Sequence, residues 1–465
     1  MIVDVEAVAH GGHCVARVDG RVVFVRHALP GERVRVVVTE RNRGYWRADA
    51  VEILTSSPER VNPPCSYAGV CGGCDLQHVS QAGQLDWKTR VLREQLTRLG
   101  GLDDSQVADV TVRALDGKLL GWRTRMQYAV DERGRAGLRR HRSDEVIPID
   151  RCAIATDAVA DGDVLKRSWP ARGVVNVVES FDGDLTVYTQ RTRRSRSRFV
   201  SGPETTQHIV FGHEFRVPAD GFWQVHPLAA DTFVTEVLEA VGPRDGEIYW
   251  DLYAGAGLFS AALAEAVGPN GRVWAVESDP RSPAVKNLAD LPAAEVVTER
   301  VEKAVASLPR PDVVVLDPPR SGATATVLSA IAEACGRAIC YVACDPAALA
   351  RDVRRLAEVG WKPVRFVAFD AFPMTQHFET IALFEPVDRL GDDVSRSTSA
   401  KRSALRSVVV KPEAIACTVS CRRSDVDNPL RAARLYSSAI VVPNRTGLSV
   451  PNATFTPASK NRGSG

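Results

Sequence analysis

The chain has 465 residues, of which 45% are hydrophobic and 25% are charged, the composition of an ordinary globular protein. At roughly 150 residues per domain, this length accommodates about three domains. The first residues lack both a basic and an apolar segment, so we expect no export signal, and no apolar stretch approaches the roughly 20 residues of a membrane span. We therefore expect a cytoplasmic monomer without a membrane partner.

Residues 1–53 alternate short β-rich runs with glycine turns. The runs 21–25 and 33–38 are predicted strands, and Pro30 and Gly31 mark the turn between them. Several short strands within fifty residues favour a small closed barrel, in which no strand edge is left exposed. The stretch resembles the TRAM domain, an OB-like RNA-binding module. A barrel that only packs on its neighbour is the alternative.

Residues 60–215 are predicted to form a central α+β domain, with a helix at 84–92 and β-rich sequence after it. Two arginine clusters stand out in a chain whose net charge is only +2. They are Arg123, Arg125, Arg133, Arg135, Arg139, Arg140 and Arg142, and then Arg191, Arg193, Arg194, Arg196 and Arg198. We expect them to contact RNA phosphates, although a plain solvated surface is the alternative.

Residues 216–387 alternate apolar runs with helical patterns, which indicates a parallel, doubly wound α/β sheet buried on both faces. Seven strands with a short final connection fit the Rossmann-like methyltransferase form of this fold, whose last strand is antiparallel. The predicted strands are 248–250, 273–276, 296–297, 313–316, 339–342, 364–367 and 381–384. Residues 388–465 have the composition of a disordered tail.

Three cysteines, Cys65, Cys71 and Cys74, cluster near the start of the central domain, and Cys152 follows later. Four thiolates are a ligand set for a tetrahedral metal ion or a cubane iron–sulfur cluster. The two glycines between Cys71 and Cys74 allow the backbone to wrap closely around the site. Spacing alone does not separate a four-iron, four-sulfur cluster from a zinc site, so both remain open at this point.

Polar residues follow several of the predicted parallel strands. The glycine-rich loop 251–257 joins a strand to a helix, and Glu277 ends the second strand, where an acid can accept ribose hydroxyls. Asp317 and Cys344 end two further strands, and open α/β sheets bind ligands at this edge. If the last strand is antiparallel, Glu379 at its start comes toward Cys344. A thiol and a carboxylate in one crevice predict a nucleophile and a base.

Two signatures resemble the RNA uridine-5-methyltransferase family, in its branch for 23S rRNA with a TRAM domain and an iron–sulfur cluster. The first is Asp317-Pro318-Pro319-Arg320-x-Gly322 followed by Tyr341-x-x-Cys344-x-Pro346, and the second runs from Phe369 to Glu379. The resemblance covers about residues 1–387. Four positions depart from the family pattern and put the surroundings of the uracil in question: Ala343, Asp345, Ala348 and Met374.

The resemblance implies a role for each matched residue. Cys344 would be the nucleophile and Glu379 the proton acceptor. The positions matching S-adenosyl-L-methionine contacts are Gln224, Tyr253, Glu277 and Asp317. Those matching the ligands of a [4Fe-4S] cluster are Cys65, Cys71, Cys74 and Cys152.

Three alternatives to this activity remain. The same chemistry could act on tRNA. An adenine or guanine N-methyltransferase carries a similar acidic-Pro-Pro loop but needs no thiol. A non-catalytic RNA-binding chaperone would leave the combination of Cys344 and Glu379 without an explanation.

Overall fold

The computed structural model describes residues 1–115, 118–192 and 195–387. The predicted tail 388–465 lies outside these residues, as do Arg193 and Arg194 of the second arginine cluster. The described residues belong to one compact unit. Within them we find no helix with the length and apolar character needed to cross a membrane.

The N-terminal residues form the closed barrel that the sequence predicts. Its strands are β1 (Ile2–Ala9), β2 (His13–Val18), β3 (Arg21–Arg26), β4 (Arg33–Arg41) and β5 (Tyr45–Thr55). They are ordered β1-β2-β3-β5-β4, and β4 pairs with β1 to close the barrel. Alternate residues such as Val23 and Val25 are fully buried, because side chains on a strand point to opposite faces in turn.

The region after the barrel contains one long helix and a six-stranded antiparallel sheet. The helix starts at a Ser80 cap, whose side chain accepts the N–H of Gly83. The elements in chain order are α1 (Gln81–Arg98), α2 (Asp104–Val107), β6 (Val112–Ala114), β7 (Arg125–Val130), β8 (Ala136–Arg139), β9 (Val146–Pro148), α3 (Asp157–Asp161), a 3₁₀ turn (Asp163–Leu165), β10 (Val174–Glu179), β11 (Leu185–Gln190) and β12 (Arg198–Ser201). The sheet order is β12-β11-β10-β7-β8-β9.

A hairpin and an α/β sheet complete the fold. The hairpin is β13 (Thr205–Val210) with β14 (His213–Pro218). The remaining elements are α4 (Ala229–Val241), β15 (Ile248–Leu252), α5 (Leu258–Ala266), β16 (Arg272–Glu277), α6 (Ala284–Asn287), β17 (Ala294–Thr298), α7 (Val301–Ala304), β18 (Val313–Leu316), α8 (Ala325–Ala334), β19 (Ala338–Ala343), α9 (Pro346–Glu358), β20 (Trp361–Asp370) and β21 (Glu379–Pro386).

The catalytic sheet contains eight strands in this structure, not the seven that the sequence predicts. All seven predicted strands are present, in the order β17-β16-β15-β18-β19-β21-β20, and β21 is antiparallel to both of its neighbours. The eighth strand is β6, which pairs in parallel with the edge strand β20. With three residues, β6 is too short for hydrophobic periodicity to indicate it. The central region therefore contributes a strand to the catalytic sheet.

Candidate active site and cysteine cavity

Cys344 and Glu379 come together because β19 and β21 are antiparallel neighbours. Their ladder ends with Ala343 opposite Thr380, so Cys344 and Glu379 extend it by one residue. On its other side Glu379 pairs with Phe369 of β20. The last strand is antiparallel, as expected, and this register places both residues at one end of three hydrogen-bonded strands.

Burial opposes the ionisation of both groups in the free protein. It raises the pKa of the Cys344 thiol to about 12, and the charges of Glu379 and Asp317 add to this effect. Burial also raises the pKa of Glu379 well above its usual range, again with a contribution from Asp317. A carboxylate with a raised pKa is a stronger base than an exposed one, which suits proton abstraction.

Arg320 is a functional candidate whose role at this site the sequence did not show. Its positive charge lowers the pKa of both Cys344 and Glu379, against the effect of burial. It is exposed, and among the described residues it forms no ion pair. The motif Asp317-Pro318-Pro319-Arg320 was visible in the sequence, but the electrostatic effect of Arg320 on the thiol and the carboxylate was not. Arg320 can stabilise negative charge that develops there.

The glycine-rich loop between β15 and α5 has the backbone conformation of a ligand-binding turn. Tyr253, Gly255 and Gly257 all have positive φ, at 65°, 57° and 86°, and such values for a tyrosine are uncommon outside functional sites. A Cβ atom at Gly257 would lie 3.0 Å from the Leu288 side chain, so a larger residue would crowd the turn. Beneath the loop, the buried oxygen Oδ1 of Asp251 has no partner among the described residues.

The predicted acidic contacts lie at the carboxyl edge of the sheet, as expected. Glu277, the last residue of β16, accepts the N–H of Gly255 at 3.0 Å and that of Asp279 at 2.9 Å. Asp317 directly follows β18. Burial raises its pKa to about 7, and the charge of Asp251 adds to the shift. A carboxyl group whose pKa lies near neutral pH, at the carboxyl edge of a sheet, is typical of a binding site.

Gln224 lies in the loop between β14 and α4 and is partly buried. Its neighbour Trp223 belongs to the same hydrophobic cluster as Ala254 and Leu258, which flank the glycine-rich turn. The packing of Trp223 thus links the segment that carries Gln224 to the hydrophobic cluster of the turn.

Two of the four departures from the family pattern have a clear structural role. Asp345 caps α9, since its Oδ1 accepts the N–H of Ala348 at 2.8 Å, a role that asparagine fills equally well. Its Oδ2 also lies 3.6 Å from Nε2 of His10 in the barrel. Met374 has a φ of 68° and is buried in the core of the central region. Ala343 and Ala348 are both buried. Nothing in the structure explains why these two positions depart from the family pattern.

The four predicted ligand cysteines line one cavity of about 590 Å³. Gly72 lets two backbone segments meet there, because a Cβ atom would be 2.8 Å from the backbone of His141. The next N–H, that of Gly73, points to Sγ of Cys71 at 3.3 Å. The described cysteines are all free thiols, so the cavity contains no disulfide. The structure thus assembles four residues that span 65 to 152 in the sequence.

Three of the four thiols in this cavity, those of Cys71, Cys74 and Cys152, are costly to ionise without a cation. Burial raises the pKa of Cys74 to about 12, and it raises the pKa of Cys71 and of Cys152. The charges of Cys152 and Cys71 add to the rise in the pKa of Cys74. Nowhere in the described ranges are three histidine, cysteine or acidic side chains arranged to hold a single metal ion. The donor set nevertheless consists of sulfur alone, which suits iron–sulfur chemistry.

The fold and the residues at the sheet edge place the protein among enzymes with the methyltransferase fold. Comparison with known proteins gives the family. Residues 1–51 match the TRAM domain, and residues 300–386 match the tRNA (Uracil-5-)-methyltransferase family. An RNA methyltransferase of Streptomyces avermitilis is 43% identical over 83% of this chain and 98% of its own length. One from Bifidobacterium longum is 36% identical over 82% and 96%.

A solved structure has the same fold as this chain. It is the tRNA (uracil-54, C5)-methyltransferase of Pyrococcus abyssi in complex with S-adenosyl-L-homocysteine, with a TM-score of 0.63 and 22% identity, covering 83% of this chain and 100% of that one. The relatives above show that this protein belongs to their family of RNA methyltransferases. Its catalytic segment is of the uracil-5 type.

Proposed function

We propose that the protein methylates carbon 5 of a uridine in RNA, with S-adenosyl-L-methionine as methyl donor and Cys344 as covalent catalyst. The observation that carries this proposal is the position of Cys344 beside Glu379, one residue beyond the last pair of the β19–β21 ladder. Carbon 5 of uracil is a poor nucleophile, and thiolate addition to carbon 6 converts the ring into an enolate that is nucleophilic at carbon 5. An N-methyltransferase does not require this pair.

In the proposed steps Cys344 forms and then breaks a bond to the uracil, and Glu379 takes the proton from carbon 5. Cys344 loses its proton to solvent, and its thiolate forms a bond to carbon 6 of the uracil. Carbon 5 then takes the methyl group from the sulfonium of the donor. The Glu379 carboxylate removes the proton from carbon 5, the bond between sulfur and carbon 6 breaks, and Cys344 leaves as a thiolate. Arg320 stabilises the negative charge that passes through the site. The uridine must leave its stack to reach these groups.

We also assign the donor site to the carboxyl edge of β15, β16 and β18. Glu277 would hold the ribose hydroxyls, as acids do at this place in open α/β folds. Tyr253, Asp317 and Gln224 would complete the contacts. The unpartnered Asp251 oxygen under the loop and the strained Tyr253 backbone support a ligand at this turn. The S-adenosyl-L-homocysteine ligand named for the Pyrococcus abyssi enzyme agrees with this assignment.

The cysteine cavity would hold a [4Fe-4S] cluster, with Cys65, Cys71, Cys74 and Cys152 as its ligands. Two observations support this proposal. The ligands are all sulfur atoms, and burial disfavours their thiolate forms unless a cation is present to balance the charge. Four thiolate ligands leave no iron open, so the cluster would stabilise the central region and take no part in methyl transfer. Free thiols at every described cysteine fit a reducing compartment such as the cytoplasm.

For the substrate we propose 23S rRNA, because a TRAM domain and a cysteine cavity occur together. tRNA is the second candidate, and the names of the matched family and of the Pyrococcus abyssi enzyme favour it. Mass mapping of rRNA and tRNA from a deletion strain separates the two. Loss of 5-methyluridine from one RNA species identifies the substrate, and unchanged levels in both would contradict the proposed activity.

The covalent mechanism has a direct test in RNA that contains 5-fluorouracil. Fluorine replaces the proton that Glu379 must remove, so the methylated adduct cannot be released. We expect wild-type protein to remain linked to this RNA on denaturing gels, and Glu379→Gln to remain linked to unmodified RNA. Cys344→Ser serves as the matched control and should form no adduct. Release of free RNA in all cases would exclude the covalent route.

A further inference from the structure

The loop that leads into Glu379 is held by a residue of the central region. We define this base loop as residues 371–378, between β20 and β21. The carbonyl of Met374 accepts the N–H groups of Asp75 and Leu76 at 3.0 and 2.9 Å. The carboxylate of Asp75 accepts the N–H of Gln376 at 3.3 Å. Asp75 thus makes a main-chain and a side-chain contact with the loop, and it directly follows Cys74 in sequence.

The base loop needs such support because its backbone is strained. Met374 has a left-handed conformation, with φ of 68°, which costs a non-glycine residue about 1 kcal/mol or more. A conformation of this kind persists only where the surroundings determine it. Gln84 of α1 contributes as well, since its Oε1 accepts the N–H of Met374 at 2.8 Å. The strand ladder begins at Glu379 itself and does not hold the residues before it.

The turn between β1 and β2 of the barrel packs closely against the other side of Asp75. Gly12 has a φ of 72°, and a Cβ atom there would lie 2.8 Å from Cβ of Asp75. The adjacent Gly11 faces the Gln376 side chain, whose Oε1 would be 3.9 Å from its Cβ position. Asp75 therefore lies between the barrel and the base loop, with no space for movement toward the barrel.

We propose that Asp75 is a positioning residue for Glu379: packed against Gly12, it fixes the base loop so that the carboxylate faces the adduct on Cys344. This inference rests on the proposed function. Cys344 is held mainly within its own domain, because the neighbouring Asp345 caps α9. The contact of Asp345 with the barrel is to the side chain of His10, at 3.6 Å. Loosening Asp75 should therefore slow the removal of the carbon 5 proton and leave the addition of the thiolate largely unaffected.

Two glycines of the barrel provide a matched test. Gly12→Ala places a methyl group against Asp75, whereas Gly20→Ala, at a φ of 77°, meets nothing within 4 Å. Both variants carry the same backbone strain, so their difference reports on Asp75 alone. Asp75→Asn is the third variant, since it removes the charge at nearly constant shape. The readout is the fraction of enzyme linked to methylated RNA on denaturing gels, together with single-turnover rates of methyl transfer and of release.

We expect Gly12→Ala and Asp75→Asn to accumulate the methylated adduct, with release slowed roughly ten- to a hundredfold, as misplacement by about an ångström does. Methyl transfer should change much less. Gly20→Ala should behave as the wild type. A purely structural role would lower both rates together and leave no adduct.

The outcomes separate this inference from the function on which it rests. If Glu379→Gln traps the adduct but Gly12→Ala and Asp75→Asn do not, Asp75 has no positioning role and the proposed chemistry stands. If Glu379→Gln itself traps nothing, the proposed function is at fault. Should Asp75→Asn fail to fold, the comparison of Gly12→Ala with Gly20→Ala decides the question by itself.

Discussion

Nζ of Lys88, in the middle of α1, lies 2.5 Å from Oδ1 of Asp370, the last residue of β20. The lysine side chain is fully buried and that of the aspartate is 3% exposed. Burial lowers the pKa of Lys88 and raises the pKa of Asp370, and the charge of each partner opposes these shifts. The pair joins the central region to the residue that immediately precedes the base loop.

Lys88→Met should destabilise the protein by about 3–5 kcal/mol, because it leaves a buried carboxylate without its partner. Urea unfolding monitored by tryptophan fluorescence measures the change. Lys88→Met/Asp370→Asn should recover much of the loss, since no charge then remains. The deficit of the single variant should shrink as the pH falls, because protonation of Asp370 removes the unpaired charge. Equal stability of the single and double variants would show that the ion pair contributes little.

Cys344→Ser should abolish methyl transfer while binding of S-adenosyl-L-methionine persists. A hydroxyl is far less acidic than a thiol, so the serine forms too little of the anion that must attack carbon 6. Transfer of a labelled methyl group measures the activity, and calorimetry measures donor binding. Methylation by the serine variant near the wild-type rate is incompatible with a covalent nucleophile at this position.

The reactivity of Cys344 in the free protein should rise with pH through the whole alkaline range. With a pKa of about 12, the thiol is protonated at neutral pH. As long as the pH stays below the pKa, a rise of one pH unit increases the thiolate fraction about tenfold. Alkylation by iodoacetamide, mapped to the Cys344 peptide by mass spectrometry, reports this fraction. An unperturbed thiol would level off above about pH 8.5. A plateau near that pH would contradict the burial of Cys344.

Arg320→Gln should slow the same alkylation at every pH. The arginine is the cation that lowers the pKa of Cys344, and its removal leaves the effects of burial and of Glu379 unopposed. Because Arg320 is exposed, added salt should reduce the difference between the variant and the wild type. Alkylation that is unchanged at low salt would exclude an electrostatic role for Arg320.

Cys152→Ala should lose the metal although Cys152 is remote in sequence from the other three ligands. Protein purified without oxygen should show broad absorbance near ~400 nm, typical of thiolate-bound iron–sulfur clusters. The control is Cys335→Ala, because Cys335 is equally buried but bonds to the carbonyl of Ala338 at 3.1 Å, away from the cavity. If the wild-type protein is colourless and contains stoichiometric zinc, the four cysteines form a zinc site and the proposed cluster is wrong.

The sequence predicted the parts of the fold that local patterns determine. Apolar runs indicated all seven strands of the catalytic sheet, and the ends of those runs marked Glu277, Asp317 and Cys344. The proximity of Glu379 to Cys344 followed from one topological inference, that the last strand is antiparallel. These predictions succeeded because periodicity and strand ends are properties of neighbouring residues.

Contacts between distant segments could not be predicted in this way. Lys88 and Asp370 are 282 residues apart, and each sits in a segment whose local pattern gives no sign of the other. In the sequence, Asp75 is recognisable only as the residue after a predicted ligand. The three residues of β6 are too few to show a strand pattern. Buried charges and edge strands of this kind depend on which surfaces meet, and a single sequence does not record that.

The pairing of β6 with β20 has a consequence for synthesis on the ribosome. Val112 lies opposite Ala368, so the strand emerges long before its partner is translated. The barrel can close as soon as its own five strands have left the exit tunnel, since domains generally fold from the N-terminus as they appear. Residues 112–114 and the Lys88 ammonium must instead wait in an unfinished chain. The catalytic sheet is therefore completed late, only after β20 has been translated.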